Sequence, residues 1–381
     1  MTREFAIPFK VALLATGDEI CQGDIINTNS QEIAQRLLHA GIEPWLHGLV
    51  PDVITDIESI MRFLLSSHQA LIITGGLGPT SDDLTRFALS KVVGKELIFD
   101  NATWQAICQR FKSFGYDVPP DSNRQQAMFP VGATIIPNKN GTAAGCYIQL
   151  GEQFIFMLPG PPFECLPMVN DIVLPILQQA GFAQASYRKK WLIFGVSEGK
   201  IAEELDKLVE PFDCVTGYRL SYPYIEFKLH SNNQTDFDKL TTLVEKTIKP
   251  DMFGDGQQTA SLMLQNKLCA PGLFLQISDH ATGGALQHTL KIPKNYMQVR
   301  YTDAIDTSKP FVTIQGLAEY WQEKADTTKT MLTLRFPNHE VELDIPFRGK
   351  RVIQYAVEIA AHHIDDYLDQ LAITPHQSSQ M

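Results

Sequence analysis

From Lys10 to Val93 short apolar runs alternate with stretches of helical periodicity. Val11 to Ala15 is continuous and apolar, the pattern of a strand buried on both faces. Ser30 to Ala40 puts Ile33, Ala34, Leu37 and Leu38 on one helical face, and Gly41 follows as a left-handed stop. Ile42 to Val50 reads as extended, Ile54 to Leu65 as helical, and Ala70 to Thr74 as a third apolar strand running into glycines. Strand, helix, strand, helix, strand predicts an α/β fold with a doubly wound, mostly parallel sheet. Such sheets bind ligands at the carboxyl ends of their strands, which directs attention to the turns after Ala15 and Ile73.

Beyond Leu97 the pattern predicts a helix over Ala102 to Phe114, strands at Thr134 to Ile136, Cys146 to Gln149 and Gln153 to Met157, and a helix from Pro162 towards Gly181. Tyr187 to Gly254 reads as a small α+β unit with a strand, a helix over Ser197 to Val209, a strand pair around Tyr222 to Leu229 and a helix ending before Pro250. From Gln257 a second α/β region follows, with a strand at Leu273 to Ile277, a helix after Gly284, strands near Leu332 and Val341, and a closing helix over Gly349 to Leu371. Domains are therefore expected at 1–181, 182–255 and 256–381, and the polar tail from Thr374 is expected to fray.

A length of 381 residues suits two or three domains at roughly 100 to 200 residues each. Lysine and arginine number 32 against 43 acidic residues, so the formal charge of −11 argues against a partner with a phosphate backbone. No apolar run approaches the roughly 20 residues of a membrane helix, and the start MTREFAIPFK lacks a signal-type apolar core, so no membrane partner and a cytoplasmic location are expected. Six cysteines at long, unequal spacings suggest isolated reduced thiols.

The densest chemistry is Thr74-Gly75-Gly76-Leu77-Gly78-Pro79-Thr80-Ser81-Asp82-Asp83-Leu84-Thr85, between an apolar strand and a helical pattern over Asp82 to Val93. Glycines there let backbone N–H groups approach a phosphate, and a helix N-terminus favours an anion. The loop matches neither the dinucleotide-binding nor the P-loop spacing. Two aspartates beside it would repel a phosphate unless a divalent cation lay between them. Asp82 either caps the helix or meets that cation, and Asp83, one residue inside the helix, is the stronger metal candidate. In the first turn Asp18 and Glu19 could join Asp83, and Asp52 past the second strand adds a third carboxylate to the rim. Asn29 or Ser30 would cap the following helix. The turns at Asn138 to Gly145 and Leu158 to Glu164 are plausible walls of the same cleft, with Arg124 and Gln125 as candidate contacts to a phosphate or base.

Together these blocks resemble the CinA (competence/damage-inducible) family and its molybdopterin-binding-type domain over about Val11 to Val173. The resemblance rests on Gly17-Asp18-Glu19, Thr28-Asn29, the Thr74 to Thr80 loop with Asp82, Asp83 and Thr85, Arg124-Gln125-Gln126-Ala127, Asn138 with Gly141-Thr142, and Leu158-Pro159-Gly160 with Glu164. Ala144 departs from the proline usual in the family. The segment is also similar to molybdopterin adenylyltransferases, whose T-G-G-T-G-x-x-x-R-D motif sets its last aspartate at Asp83 and whose other catalytic aspartate falls near Asp52. Gly195-Val196-Ser197-Glu198 resembles the family's KH-type insert, but no G-x-x-G clamp occurs there, so a spacer or dimerisation role is expected rather than RNA binding. The last region is similar to the family's nicotinamide mononucleotide deamidase domain, but His280 stands where its serine is expected and its lysine has no counterpart, so deamidation is not expected. Phe347-Arg348-Gly349-x-Arg351 resembles the family's ending.

The resemblance implies a hydrolase acting on a nucleotide pyrophosphate such as ADP-ribose, with a divalent metal, magnesium, manganese or cobalt, in a homodimer. Asp83, Asp52 and Glu19 would be catalytic and Asp18, Glu19, Asp82 and Asp83 would hold the metal. Gly75, Gly76, Gly78, Thr80, Thr85, Asn29, Arg124, Gly141, Thr142 and Glu164 would contact substrate. Nucleotidyl transfer to a pterin and non-enzymatic nucleotide binding are the alternatives. On the polar face of the closing helix, His362 and Asp366 have metal-ligand spacing, which a solvated helix face also explains.

Overall fold

The computed structural model describes residues 9–323, 328–347, 349 and 351–373, so Arg348 and the tail from Thr374 lie outside the described residues. The chain divides after Ala185 into two compact units. Among the described residues no helix is long and apolar enough to cross a membrane.

The first unit carries strands β1 (Val11–Thr16), β2 (Pro44–Val50), β3 (Ala70–Thr74), β4 (Leu97–Phe99), β5 (Met128–Pro130), β6 (Thr134–Ile136), β7 (Gly145–Leu150) and β8 (Gln153–Leu158). Six form one sheet in the order β2-β1-β3-β8-β7-β6, and β4 pairs with β5 apart from it. The first four run parallel, while β7 and β6 are antiparallel additions at one edge. Because β2 lies on one side of β1 and β3 on the other, the chain reverses its direction of travel across the sheet at β1. That switch opens a crevice at the carboxyl ends of β1 and β3.

Helices α1 (Asp18–Cys21), α2 (Thr28–His39), α3 (Ile54–Leu65), α4 (Thr85–Val93), α5 (Asn101–Ser113), α6 (Pro162–Met168) and α7 (Leu174–Gln179) complete the unit. Alternate residues of β1 serve opposite faces. Ala12 and Leu14 pack with Ile57, Met61 and Leu89 of α3 and α4. Val11 and Leu13 pack with Ile33, Leu37 and Cys165 of α2 and α6. Burial on both faces is why the strand reads as an unbroken apolar run. Phe182 stacks on Phe9 with ring centroids 4.7 Å apart, which carries this unit's core past Gly181.

In the second unit β9 (Tyr187–Phe194), β10 (Val215–Ser221) and β11 (Tyr224–Ser231) form an antiparallel sheet in the order β10-β11-β9. Helices α8 (Glu198–Val209) and α9 (Gln234–Ile248) cover one face through Ile201, Leu205, Leu240 and Val244. The strand pair is a hairpin that turns at Tyr222-Pro223, so Tyr222, expected in a strand, is in the turn, where proline's missing N–H costs no ladder bond. A five-stranded sheet follows, with β12 (Leu275–Asp279), β13 (Val299–Tyr301), β14 (Phe311–Gly316), β15 (Lys329–Arg335) and β16 (Glu340–Pro346) in the order β13-β12-β14-β15-β16. It packs with α10 (Ala260–Lys267), α11 (Ala285–Leu290), α12 (Ala318–Trp321) and the long α13 (Arg351–Ile373).

Candidate functional site

After β3 the chain turns through Gly75 at φ 103° and Gly76 at φ 63°, conformations that a side chain resists. The loop is tied through its carbonyl groups. Arg86 Nη2 donates to Leu77 O at 2.6 Å and Gln126 Nε2 donates to the same oxygen at 3.3 Å. Gln125 Nε2 donates to Gly78 O at 3.0 Å and to Thr80 O at 2.7 Å. Among the described residues the Gly76 and Leu77 amides take no partner, and both residues line a cavity of about 510 Å³. Carbonyls engaged by side chains and amides left for a ligand make a backbone cradle for an anion.

Arg86 is the residue that sequence reasoning missed. It is buried at 1% exposure, beside Leu89 of an apolar helix face. Burial lowers its pKa to about 10, and the charge of Asp83 opposes that shift, so it remains a cation at neutral pH. Its signal in the sequence was an arginine on the core face of the helix that follows a glycine loop.

Asp83 has both oxygens engaged. Its Oδ1 accepts from Gly78 N at 2.7 Å, and its Oδ2 accepts from Thr80 N at 2.9 Å and Thr80 Oγ1 at 2.5 Å. These bonds close a turn before the helix, so α4 begins at Thr85 with Leu84 as its N-cap. The expected onset at Asp82 is corrected accordingly: Asp82 does not cap α4, and Asp83 precedes the helix instead of lying inside it. Asp82 is exposed and lines the cavity. Thr85, expected against substrate, is fully buried with its Oγ1 3.0 Å from Thr16 Oγ1, fastening α4 to the end of β1. Thr80 is exposed and outside the cavity lining.

The carboxylate wall faces this loop. Asp18 N donates to Asp52 Oδ2 at 3.1 Å and Asp52 N donates to Asp18 Oδ1 at 3.0 Å, which locks the turn after β1 to the end of β2. Glu19, Asp52, Asp82 and Asp83 line the cavity, and Asp18 stands outside the lining. Burial raises the Asp52 pKa, and the charges of Asp18, Glu19 and Asp82 push it the same way against the Asp18 amide bond. Among the described residues no group of three or more His, Cys, Asp or Glu gathers closely enough to hold a metal ion, so Asp18, Glu19, Asp82 and Asp83 form no ready-made cage. Magnesium is ordinarily held by one or two carboxylates together with ligand phosphates and water. Glu19 and Asp52, both at the cavity and both oxygen donors, fit that lighter coordination.

On the third side Asn29 is buried within α2 and donates from Nδ2 to Gly160 O at 2.5 Å. Its Oδ1 is buried without a partner among the described residues. The cap of α2 is Asn27, which accepts from Ser30 N at 3.1 Å, in place of the expected Asn29 or Ser30, because the helix starts earlier, at Thr28. Glu164 accepts from Asn138 Nδ2 at 2.6 Å, and burial raises its pKa. It packs so closely on Gly141 that a Cβ there would strike its carboxylate. Thr142 lines the cavity, whereas Gly141 lines its neighbour. Arg124 lies over the Phe99 and Trp104 rings at 4.7 and 5.4 Å, outside the cavity lining, and Gln125 serves the loop carbonyls.

In the second unit Ser278 Oγ lies 3.0 Å from His280 Nε2 and 2.9 Å from Asp303 Oδ1, while that same Nε2 is 3.0 Å from Asp303. A nucleophile relay needs the hydroxyl and the carboxylate on different imidazole nitrogens, so this cluster is not one. His362 stacks on Phe253 at 4.0 Å and pairs with Asp366 at 3.4 Å on α13.

Residues 12–179 match the family described as "Probable molybdopterin binding domain". A CinA-like protein of Escherichia coli O9:H4 is 34% identical over 280 residues, covering 73% of this chain and 70% of that protein. A CinA-like protein of Shewanella woodyi is 31% identical over 281 residues, covering 73% of this chain and 66% of its own length, so the chain spans about two thirds of that relative. The crystal structure of the protein CinA from Thermoplasma acidophilum is 28% identical with a TM-score of 0.41, covering 44% of this chain and 97% of that one.

Proposed function

The chain belongs to the CinA-like protein family, and from that premise we propose that its first unit hydrolyses the diphosphate of a nucleotide derivative such as ADP-ribose with the help of magnesium, manganese or cobalt. The observation that carries this is the opposition within one cavity of unpaired loop amides at Gly76 and Leu77 to the carboxylates of Glu19, Asp52 and Asp82. The amides favour an anion, and the carboxylates repel one unless a cation intervenes.

In this mechanism the Gly76 and Leu77 N–H groups hold phosphoryl oxygens, and the buried Arg86 adds positive potential beneath them. Asn29 Oδ1, buried and unpartnered, accepts from a ligand hydroxyl. Glu19 and Asp52 would hold the cation, which supplies Lewis acidity toward a phosphoryl oxygen and acidifies water. Water attacks phosphorus and the P–O bond to the second phosphate breaks, the attacking water's proton passing to solvent, so that two phosphomonoesters form.

The test is a panel of dinucleotides and nucleotide sugars incubated with each of the three cations and assayed for new phosphomonoester. No release from any of them would overturn the proposal. The match to a molybdopterin-binding family favours one second reading, nucleotidyl transfer, and its mark would be an adenylylated product formed from ATP and a pterin acceptor.

A further inference from the structure

The second unit has a switch point of its own. Strand β12 pairs in parallel with β13 on one side and with β14 on the other, so the chain reverses across the sheet there and opens a crevice at the carboxyl ends of β12 and β13. Ser278 and His280 stand two residues apart where β12 ends, which puts both on one face of the sheet. Asp279 between them is spent on the loop that follows, its carboxylate accepting from Ala281 N, Thr282 N and the Thr282 hydroxyl. Asp303 arrives two residues past the end of β13, where Thr302 N donates to Ile277 O at 3.0 Å, and His280 N donates to Ile314 O at 2.9 Å.

Three side-chain atoms meet at this strand end. Ser278 Oγ lies 3.0 Å from His280 Nε2 and 2.9 Å from Asp303 Oδ1, and the nitrogen and the carboxylate oxygen are 3.0 Å apart, which makes a nearly equilateral triangle. Hydrogen bonding does not account for all three edges, because the hydroxyl and the ring nitrogen bring at most two hydrogens to them. Ligands on one face of an octahedron, each about 2.1 Å from the metal, stand about 3.0 Å apart. In a tetrahedral zinc site of the same bond length they stand about 3.4 Å apart. The triangle therefore has the size of an octahedral face.

An imidazole beside a carboxylate and a hydroxyl favours a first-row transition ion over magnesium or calcium, which take oxygen ligands. The strong ligands here are two, His280 and Asp303, whose side chains are 51% and 76% exposed and accessible to an incoming ion, while the buried Ser278 fixes the third corner. We infer that Ser278, His280 and Asp303 bind one octahedral first-row divalent ion, such as nickel(II), cobalt(II) or iron(II), leaving its other positions to water or to a small ligand. The site belongs to the second unit and stands or falls apart from the diphosphate proposal.

Nickel(II) is titrated into the full chain in saturating magnesium and followed by calorimetry, for the wild type, His280→Ala, Asp303→Asn and, as a control on the other His–Asp pair, His362→Ala. Both site residues are exposed, so their variants should fold, and melting curves check it. The expected result is one ion held alike by the wild type and His362→Ala and bound on the order of tenfold or more weakly by the two site variants. Asp303→Asn keeps a hydrogen-bonding oxygen, so weakened binding there marks coordination by the carboxylate. The proposal is overturned if a folded site variant binds nickel as the wild type does, if His362→Ala loses the ion equally, or if the wild type binds none.

Discussion

Arg86 and Asp52 set the two poles of the cavity, and each makes a separate demand on the protein. Arg86 donates to Leu77 O at 2.6 Å from a fully covered position, so Arg86→Met would strip a donor from buried loop carbonyls. The expected loss of stability is about 1–3 kcal/mol in denaturant unfolding, with weaker pyrophosphate binding. Arg86→Lys keeps the charge but not the guanidinium fork, and should recover stability only in part. A methionine variant as stable and as tight-binding as the wild type would remove Arg86 from the cradle. For Asp52 the folded pKa is raised by burial and by neighbouring carboxylates. The stability it contributes is therefore fully present below the unfolded carboxyl pKa and is lost as pH rises through the folded value. Asp52→Asn cannot ionise, so its melting temperature should equal the wild type's in acid and exceed it increasingly as pH rises through that window. Magnesium should raise the melting temperature of the wild type more than that of Asp52→Asn. A pH-independent difference would mean that charge at Asp52 is not what the cavity responds to.

At the scale of elements, what could be read from the chain was whatever local pattern determines. β3 and α3 occupy the ranges their apolar patterns predict, Ala70–Thr74 and Ile54–Leu65, because burial imposes periods visible over a few residues. The glycine loop was legible for the same reason. The onset of α4 was not, since it depends on Asp83 reaching back to Gly78 N, a bond that only the folded loop offers. Arg124 could not be placed because Phe99 and Trp104, the rings it covers, meet only in the fold. β13, three residues long, is too short to carry a readable period. A helix end in the second unit shows the same dependence on distant groups. Glu358 of α13 accepts from Ser261 N at 3.0 Å and Ser261 Oγ at 2.6 Å in the first turn of α10, and from Tyr224 Oη of β11 at 2.7 Å. Glu358→Ala would leave these donors unpaired and should cost about 1–3 kcal/mol, seen as an earlier unfolding transition. Glu358→Gln, which keeps an acceptor oxygen, should cost less, and equal losses would show that packing rather than the hydrogen bonds is what α13 contributes there.

At the scale of the whole molecule the charge of −11 acts on any anion that approaches. The cavity rim reinforces it, because Glu19, Asp52 and Asp82 all line the cavity while Arg86 lies beneath the loop. A protein that binds phosphates through a basic surface loses affinity as salt rises, because counter-ions compete for the same charges. Here the long-range field is repulsive and attraction is confined to the loop amides. Monovalent salt should therefore relieve repulsion across a Debye length of about 10 Å at 0.1 M and strengthen pyrophosphate binding measured without divalent cation. On the proposed function saturating magnesium neutralises the rim, so binding should then be tighter and its salt dependence smaller. The measurement is a pyrophosphate titration at several sodium chloride concentrations with and without magnesium. Affinity that falls steadily with salt in the absence of divalent cation would mean that a basic patch, not the loop cradle, captures the anion.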